Sequence, residues 1–439
     1  MPSPRRNRAI AVRRWAVAVA VYLLAVFHRT SLGVAGLAAT TRFGIGPGQL
    51  SSFVMLQLAV YAAMQIPTGV LVDRYGSRRL LLAAAALMAT AQIAFALVPS
   101  YSLALLARGL LGCGDALTFV SVLRFAAGQF APRRYPALVA ATGALGALGN
   151  VVSTLPLTLA LHSLGWTPTF VGAGLLSVLS GVVVYLVLPA PAPVVGRLDS
   201  VQSLRSSLAR VLARVRSAWS LPGTRVGFWV HFTSMSLSLT FGVLWGVPFM
   251  VEAQGLSRNE ASTILLANVA LSVLVSPLLG LLVSRWTATR VPVAIGTAVV
   301  TVSFWLAVLT GFSRPMPVAV LVALALLTGL GGPVSAIGFS LARDYNGPAI
   351  VGTATGVVNV AGFLGSILAC LGIGWVLDMR ASTDLGAYRL AFGVAVAVQV
   401  AGLVQMVRWW LRARRVVLQA QDAGRPTPVE LIRHRWDIG

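Results

Sequence analysis

Three short groups of residues in this chain have types and spacings that could do chemistry. The first is His28-Arg29-Thr30-Ser31-Leu32-Gly33, where the planar guanidinium of Arg29 suits a carboxylate or a phosphate. On a helix His28 points roughly 100° away from its neighbour, so both reach one cavity only at its edges. The second is Arg108-Gly109-Leu110-Leu111-Gly112-Cys113-Gly114-Asp115. Helical spacing puts residues 108, 112 and 115 on one face, with Arg108 and Asp115 roughly 10 Å apart along it. A carboxyl group taken out of water there is a candidate to load and release a proton. The third is Gly69-Val70-Leu71-Val72-Asp73-Arg74-Tyr75-Gly76-Ser77-Arg78-Arg79. Asp73 can pair with an Arg or with the positive N-terminus of another helix, and Gly69 and Gly76 permit close backbone approach and a tight turn.

Each group has a plainer reading. Arg29 and Asp115 can neutralise one another, Arg108 can balance a charge on a neighbouring helix, and the Asp73 segment can be a charged turn. Enzyme chemistry is not expected. All 34 basic residues are Arg, so no Lys-containing phosphate loop exists, and no His-Glu-x-x-His helix occurs. The 11 acidic residues are scattered along the chain. No cofactor and no metal is therefore expected.

The elements that must hold these residues follow from composition. The 439 residues are 57% hydrophobic and only 10% charged, with a mean hydropathy of +0.84. A soluble globular chain is about a quarter charged, and disorder needs low hydrophobicity, so both classes are excluded. The net charge of +23 does not indicate nucleic acid, because the Arg residues sit in loops between apolar runs rather than on one soluble face. Crossing a bilayer as a helix takes about 20 apolar residues. Twelve such runs are predicted: 15–38, 50–71, 79–98, 102–125, 136–160, 168–189, 226–250, 262–283, 291–312, 317–341, 349–376 and 387–410. They are apolar all round rather than alternating, which selects helices over a barrel. The first follows five Arg residues like a signal peptide, but its apolar run is too long for a signal core. Cys113 and Cys370 both lie inside apolar runs and are expected to be packing residues.

Loop charge sets the predicted orientation. With the N-terminus in the cytoplasm, 27 Arg fall on that side, five on the other and two, Arg29 and Arg108, inside spans. Both termini are thus expected to be cytoplasmic, in the cytoplasmic (inner) membrane. The longest connection, 190–225, divides the spans six and six. It begins with Pro189, Pro191 and Pro193, then places Leu204, Leu208, Leu212 and Val215 on one helical face with Arg205, Arg210, Arg214 and Arg216 around the others. That pattern fits a helix on an anionic leaflet or a solvated tether. The expected organisation is an N-terminal bundle over 1–189, this linker, a C-terminal bundle over 226–410 and a tail over 411–439.

The halves also repeat. Gly69-Val70-Leu71-Val72-Asp73-Arg74-Tyr75 is matched by Gly280-Leu281-Leu282-Val283-Ser284-Arg285-Trp286, and Ala141-Thr142-Gly143 by Ala354-Thr355-Gly356, at offsets of 211 and 213. A duplicated six-helix unit is the architecture of secondary transporters, which bind solute between the halves.

The Gly69–Arg79 segment resembles the loop motif of the major facilitator superfamily, G-x-L-x-D-R-x-G-x-R-R/K, and Arg108–Gly114 resembles that family's R-x-x-x-G-x-G, whose Arg is linked to proton movement. The resemblance covers nearly the whole chain. It implies a bacterial transporter of twelve transmembrane helices in two pseudo-symmetric six-helix bundles, working by alternating access as a monomer. It further implies that Asp73, Arg74 and Arg78, with Gly69, Gly76 and Arg79, form a cytoplasmic gate. In the C-terminal copy Ser284 stands where the Asp would be, so a latch there is expected to be weaker. The first span resembles that of anion-handling branches, which place an Arg before small polar residues. The antiporters' Gly-Pro pair in span five is absent: this chain has Gly149-Asn150, with Pro156 further on.

Isolated polar or aromatic residues complete the candidate solute site: Asn150, His231, Trp245, Asn268 and Asn359, alongside Arg29 and His28. Each alone suits helix–helix adhesion at least as well. The expected function is secondary active transport of a small solute, a small organic anion at Arg29, coupled to protons through Asp115 and Arg108. Protons, the solute and membrane lipid are the expected partners. Drug efflux is the main alternative, and Phe241 and Trp245 would suit it, although Arg29 would repel a lipophilic cation. A membrane receptor or scaffold without flux is the second.

Overall fold

The computed structural model describes residues 4–45, 47–190, 204–312, 315–380, 382 and 384–427. Among them the secondary structure is helical throughout. The α-helices are α1 (Pro4–Phe43), α2 (Pro47–Tyr75), α3 (Ser77–Leu97), α4 (Tyr101–Gln129), α5 (Tyr135–Leu164), α6 (Trp166–Val187), α7 (Leu204–Ser220), α8 (Pro222–Thr240), α9 (Gly246–Pro248), α10 (Arg258–Arg285), α11 (Arg290–Gly311), α12 (Val318–Gly329), α13 (Gly331–Ser335), α14 (Ile337–Tyr345), α15 (Val351–Arg380) and α16 (Leu385–Asp422). Pro191, Pro193 and Arg197 of the linker and the tail from residue 428 lie outside the described residues, as do the side chains of Leu204, Arg205, Leu208 and Arg210. The amphipathic linker segment does form a helix, α7, with Leu212 exposed on it.

Ten helical stretches among the described residues are long and apolar enough to cross a membrane. They occupy ten of the twelve positions read from the sequence, the first running Ala9–Leu32. The remaining two positions hold α5 and α8. The latter is rich in hydroxyl residues from Thr224 to Thr240 and passes into π-helical turns at Phe241–Trp245 and Phe249–Ala253. Such turns widen the helix and break the α pattern.

Local sequence signals set several helix starts. Ser257 and Glu260 form a reciprocal capping box on α10, the Ser257 N–H donating to Glu260 at 2.8 Å. Asp384 caps α16 by accepting the Ala387 N–H at 2.7 Å. Between α2 and α3 the chain turns at Gly76, whose φ of 80° is open to glycine at no steric cost.

The chain divides into two compact units. The first comprises 1–131, 145–216 and 348–356; the second comprises 132–144, 217–347 and 357–439. Helices α5 and α15 are therefore each shared, and the division points, after Ala144 and after Gly356, fall next to the two copies of Ala-Thr-Gly. The first unit is cored by Leu32, Phe53, Phe95 and Phe170, with Trp166 and Phe43 packed on them. The second is cored by Phe249, Trp305 and Phe392, the last two stacked 4.7 Å apart.

Candidate functional site

In the first unit, α1, α2 and α4 bring the intramembrane charges together. Arg29 donates from Nε to Asp115 Oδ2 and from Nη2 to Asp115 Oδ1, both at 2.7 Å, a bidentate charge-assisted pair. Of the two readings the sequence left open for Arg29, this conformation adopts the ion pair. The Asp115 side chain is 0% exposed and that of Arg29 is 21%, so the guanidinium is the half of the pair that can be approached. Tyr61 of α2 lies beneath it, its ring centroid 4.5 Å from Cζ.

Arg108 is fully buried on α4. It donates to Gln57 Oε1 on α2 and reaches the carbonyls of His28 and Arg29 at 3.5 Å, while its Nε has no partner. Among the described residues it forms no ion pair. Arg29, Arg108 and Asp115 together thus hold one positive charge in excess. Gly112 explains part of the motif around Arg108. A Cβ there would lie 2.7 Å from the Gln57 carbonyl oxygen, so α2 and α4 touch backbone to backbone where Gln57 meets the guanidinium.

His28 turns away from this group: its Nε2 and Ser177 Oγ on α6 are 2.7 Å apart, and its Nδ1 is buried without a partner. Thr30 bonds Ser153 on α5 at 2.7 Å, and Asn150 lies half-buried one turn before Ser153. In the second unit His231 and Asn359 meet. His231 is held by the Ser335 carbonyl at 3.2 Å and by the Asn359 side chain. Asn268 donates to the Ala325 carbonyl at 2.7 Å, joining α10 to α12, which is an adhesive placement. Trp245 lies in the first π turn, half-buried, edge-on to Tyr388 at 6.4 Å, with no partner for its Nε1.

The Asp73 loop forms a denser contact. The carboxylate, 0% exposed, accepts from Arg124 Nε at 3.0 Å, from the N–H groups of Gly352 and Thr353 at 2.9 and 2.8 Å, and from Thr353 Oγ1 at 2.9 Å. It therefore sits at the N-terminus of α15, where the helix dipole favours a negative charge. Gly69 makes the approach possible, since a Cβ on it would lie 2.4 Å from the Gly352 carbonyl oxygen. Arg74 is exposed over Tyr75, Arg78 donates to the Tyr185 carbonyl at 2.7 Å, and Arg79 is exposed; among the described residues none of these three side chains forms an ion pair with Asp73. In the second unit the corresponding Ser284 accepts a single N–H, that of Ala137 at the start of α5, at 3.2 Å. A neutral hydroxyl stands there in place of a carboxylate.

Gln57, Tyr61 and Arg124 belong to these contacts and were not singled out from sequence. For Gln57 a polar residue inside the apolar second span was the available signal. Arg124 is one of the 27 Arg assigned to the cytoplasmic side, and nothing in its sequence neighbours points to Asp73.

A family model described as Major Facilitator Superfamily matches residues 18–369 and 230–437, and the chain belongs to that superfamily. Its members are transporters rather than enzymes, and this is a multi-pass membrane protein. No curated protein matches the sequence. Among solved structures, it is similar to the proton:xylose symporter XylE bound to 6-bromo-6-deoxy-D-glucose, at 15% identity and a TM-score of 0.67 over 92% of this chain and 96% of that one. It is similar also to the transporter FucP in the outward conformation, at 14% identity and a TM-score of 0.68 over 91% and 99%. A variant of FucP, described as the Escherichia coli fucose:proton symporter, matches at 13% identity and 0.67 over 91% and 99%. At these identities the likeness is one of fold.

Proposed function

We propose that this protein is a proton-coupled secondary transporter of a small organic anion, with twelve transmembrane helices in two six-helix bundles and both termini in the cytoplasm. The bidentate Arg29–Asp115 pair carries this reading. While Asp115 is charged it occupies the guanidinium. Once Asp115 takes up a proton its negative charge is gone, Arg29 is released, and a substrate carboxylate or phosphate can take the vacated place. Loss of the anion invites Asp115 to return its proton and re-form the pair. Arg108, the unpaired cation beside it, raises the affinity of the site for negative charge and opposes release of Asp115 in its charged form. Proton and anion thereby move together.

Asp73 is assigned to the cytoplasmic gate together with Arg124, because the pair holds the first residues of α15. Arg74, Arg78, Arg79 and the glycines Gly69 and Gly76 shape the loop that presents it. His28, Asn150, His231, Trp245, Asn268 and Asn359 are retained as candidate solute contacts. Trp245, whose indole N–H lacks a partner, is the foremost of them. The orientation rests on the 27 Arg of one set of loops against five of the other.

A second reading is favoured by one observation: in this conformation Asp115 satisfies Arg29, which suits an uncharged polar solute, as in the sugar symporters of similar fold. Uptake by purified protein in liposomes, driven by an imposed pH gradient, separates the readings. Wild type should accumulate an organic anion and Asp115→Asn should lose the response to the gradient. Accumulation of sugars alone, unaffected by Arg29→Gln, would replace the anion reading with the sugar one.

A further inference from the structure

The apolar stretch Val318–Tyr345 in the second unit is long enough to cross a membrane, yet it is not one helix. It breaks twice, at Leu330 and at Ala336, into α12, α13 and α14. Each break takes the helical donor away from a backbone carbonyl. That of Gly329 would be served by the residue four positions on, which is Pro333 and has no N–H. At the second break the Phe339 N–H bonds the Ala336 carbonyl at 3.2 Å, three residues back, instead of the Ser335 carbonyl. Lipid supplies no replacement donor, so a bent span persists only where side chains answer the freed carbonyls.

Neighbouring helices of the same unit answer both. Ser272 Oγ on α10 reaches the Gly329 carbonyl at 3.0 Å, and His231 Nδ1 on α8 lies 3.2 Å from the Ser335 carbonyl. A carbonyl only accepts, so Nδ1 carries a proton. His231 is 4% exposed and enclosed on its other sides. Its ring centroid is 4.7 Å from that of Phe339, which stands just beyond the break. Its Nε2 edge faces α15, where a Cβ on Gly362 would lie 2.7 Å away, and Asn359 bonds the ring. One turn earlier on α8 backbone meets backbone. A Cβ on Gly227 would lie 2.7 Å from the Gly338 carbonyl oxygen, and one on Gly338 2.6 Å from that of Gly227. Helix α14 is thus pressed against α8 immediately past the bend, and His231 holds the carbonyl that the bend frees.

We propose that His231 is a positioning residue that acts through Ser335. With its proton on Nδ1 it keeps the span bent at Ala336 and fixes the direction in which α14 leaves the bend. A mid-helix stretch with three-residue bonds is a place where a helix can flex, and the bond from His231 selects one setting of it. Asp344 near the end of α14 pairs with Arg290 at the start of α11, so the bend also sets where that pair forms. This role is separate from solute contact, and it depends neither on the solute being an anion nor on the orientation proposed above.

Two measurements on purified full-length protein test this. The first is nitrogen-15 NMR of protein labelled at its four histidines, the His231 signals being those lost in His231→Asn. A proton on Nδ1 is expected, and a ring protonated on Nε2 alone overturns the proposal. The second is hydrogen–deuterium exchange of peptides spanning 330–345, which reports local opening of the bend. His231→Leu should speed exchange there roughly tenfold or more and leave peptides of the first unit unchanged. His231→Asn places an amide N–H where Nδ1 stands and should restore the wild-type rate. His231→Gln places it where Nε2 stands, against Gly362, and should not. A loss of packing alone would be rescued no better by Asn than by Gln. Unchanged exchange in His231→Leu, or an Asn variant no closer to wild type than the Gln variant, overturns the proposal. If His231→Leu fails to fold, the wild-type proton position and the comparison of Asn with Gln still decide it.

Discussion

Replacing Asp115 by Asn exchanges one oxygen for an amide and leaves the volume of the side chain nearly unchanged, so its effect isolates the charge. In the wild type two hydrogen bonds of 2.7 Å join Asp115 to Arg29. Charge-assisted bonds contribute about 1.5–3 kcal/mol each, and breaking a buried pair costs about 3–5 kcal/mol. Because the Arg29 side chain is 21% exposed, water recovers part of its loss, and about 3 kcal/mol is the expected cost of Asp115→Asn. Arg29→Gln should cost at least as much, since it leaves a carboxylate of 0% exposure without its partner. For a unit of 150–250 residues each corresponds to a drop of roughly 6–12 °C in midpoint. The decisive assay is the double-mutant cycle. Combining Asp115→Asn with Arg29→Gln removes both charges, so the double variant should be more stable than the sum of the single losses predicts, with a coupling of about 2–3 kcal/mol. Thermal melts of the four proteins in one detergent give the comparison. Additive losses, with coupling below about 0.5 kcal/mol, would refute the claim that the two groups are held as one pair, and with it the release mechanism.

Three further outcomes are expected. In a Thr353→Cys reporter without Cys113 and Cys370, Asp73→Asn weakens the three contacts that remain, from Arg124 and the N–H groups of residues 352 and 353, so alkylation at position 353 should accelerate at least tenfold; an unchanged rate would remove Asp73 from the gate. Gly112→Val sets a side chain against the Gln57 backbone, where even a Cβ would be 2.7 Å away, and overpacking of this kind costs about 1–3 kcal/mol; a melting midpoint equal to wild type would show that α2 and α4 do not touch there. The Ala387 N–H, followed by Ser382, holds the exposed Asp384 carboxyl below its ordinary range. A depressed carboxyl stabilises the fold above its unfolded pKa of about 3.9 and loses that contribution as pH falls through the folded value. The midpoint difference between wild type and Asp384→Ala should therefore be full at pH 7 and shrink below pH about 4, and a difference that grew on acidification would contradict the cap.

Much of the molecule was legible before any coordinates. Spans are fixed by length and hydropathy, because lipid offers the backbone no partners and forces each segment to satisfy itself as a helix. Family membership followed from motifs such as Gly69–Arg79, whose Gly76 answers to a local turn while Gly69 and Asp73 answer to contact with α15. The span at 226–250 was less legible. Its hydroxyl-rich stretch lowers the hydropathy of the run, and the π turns on either side of Gly246-Val247-Pro248 are not recorded by hydropathy.

The sequence offered pairings without choosing among them. Arg29 and Asp115 are 86 residues apart and Asp73 and Thr353 are 280 apart, and spacing along a chain cannot say which of several cations a carboxylate will meet. Asp115 could have met Arg108 on its own helix, yet α1 brings Arg29 to it, and Arg108 is drawn instead to Gln57. The sequence alone determined that charges lie inside the membrane spans, since apolar runs are recognisable wherever they occur. Only the tertiary structure decided which charges neutralise one another and which, like Arg108, are buried without an ion pair among the described residues, because that depends on how closely backbones approach at Gly112 and Gly69.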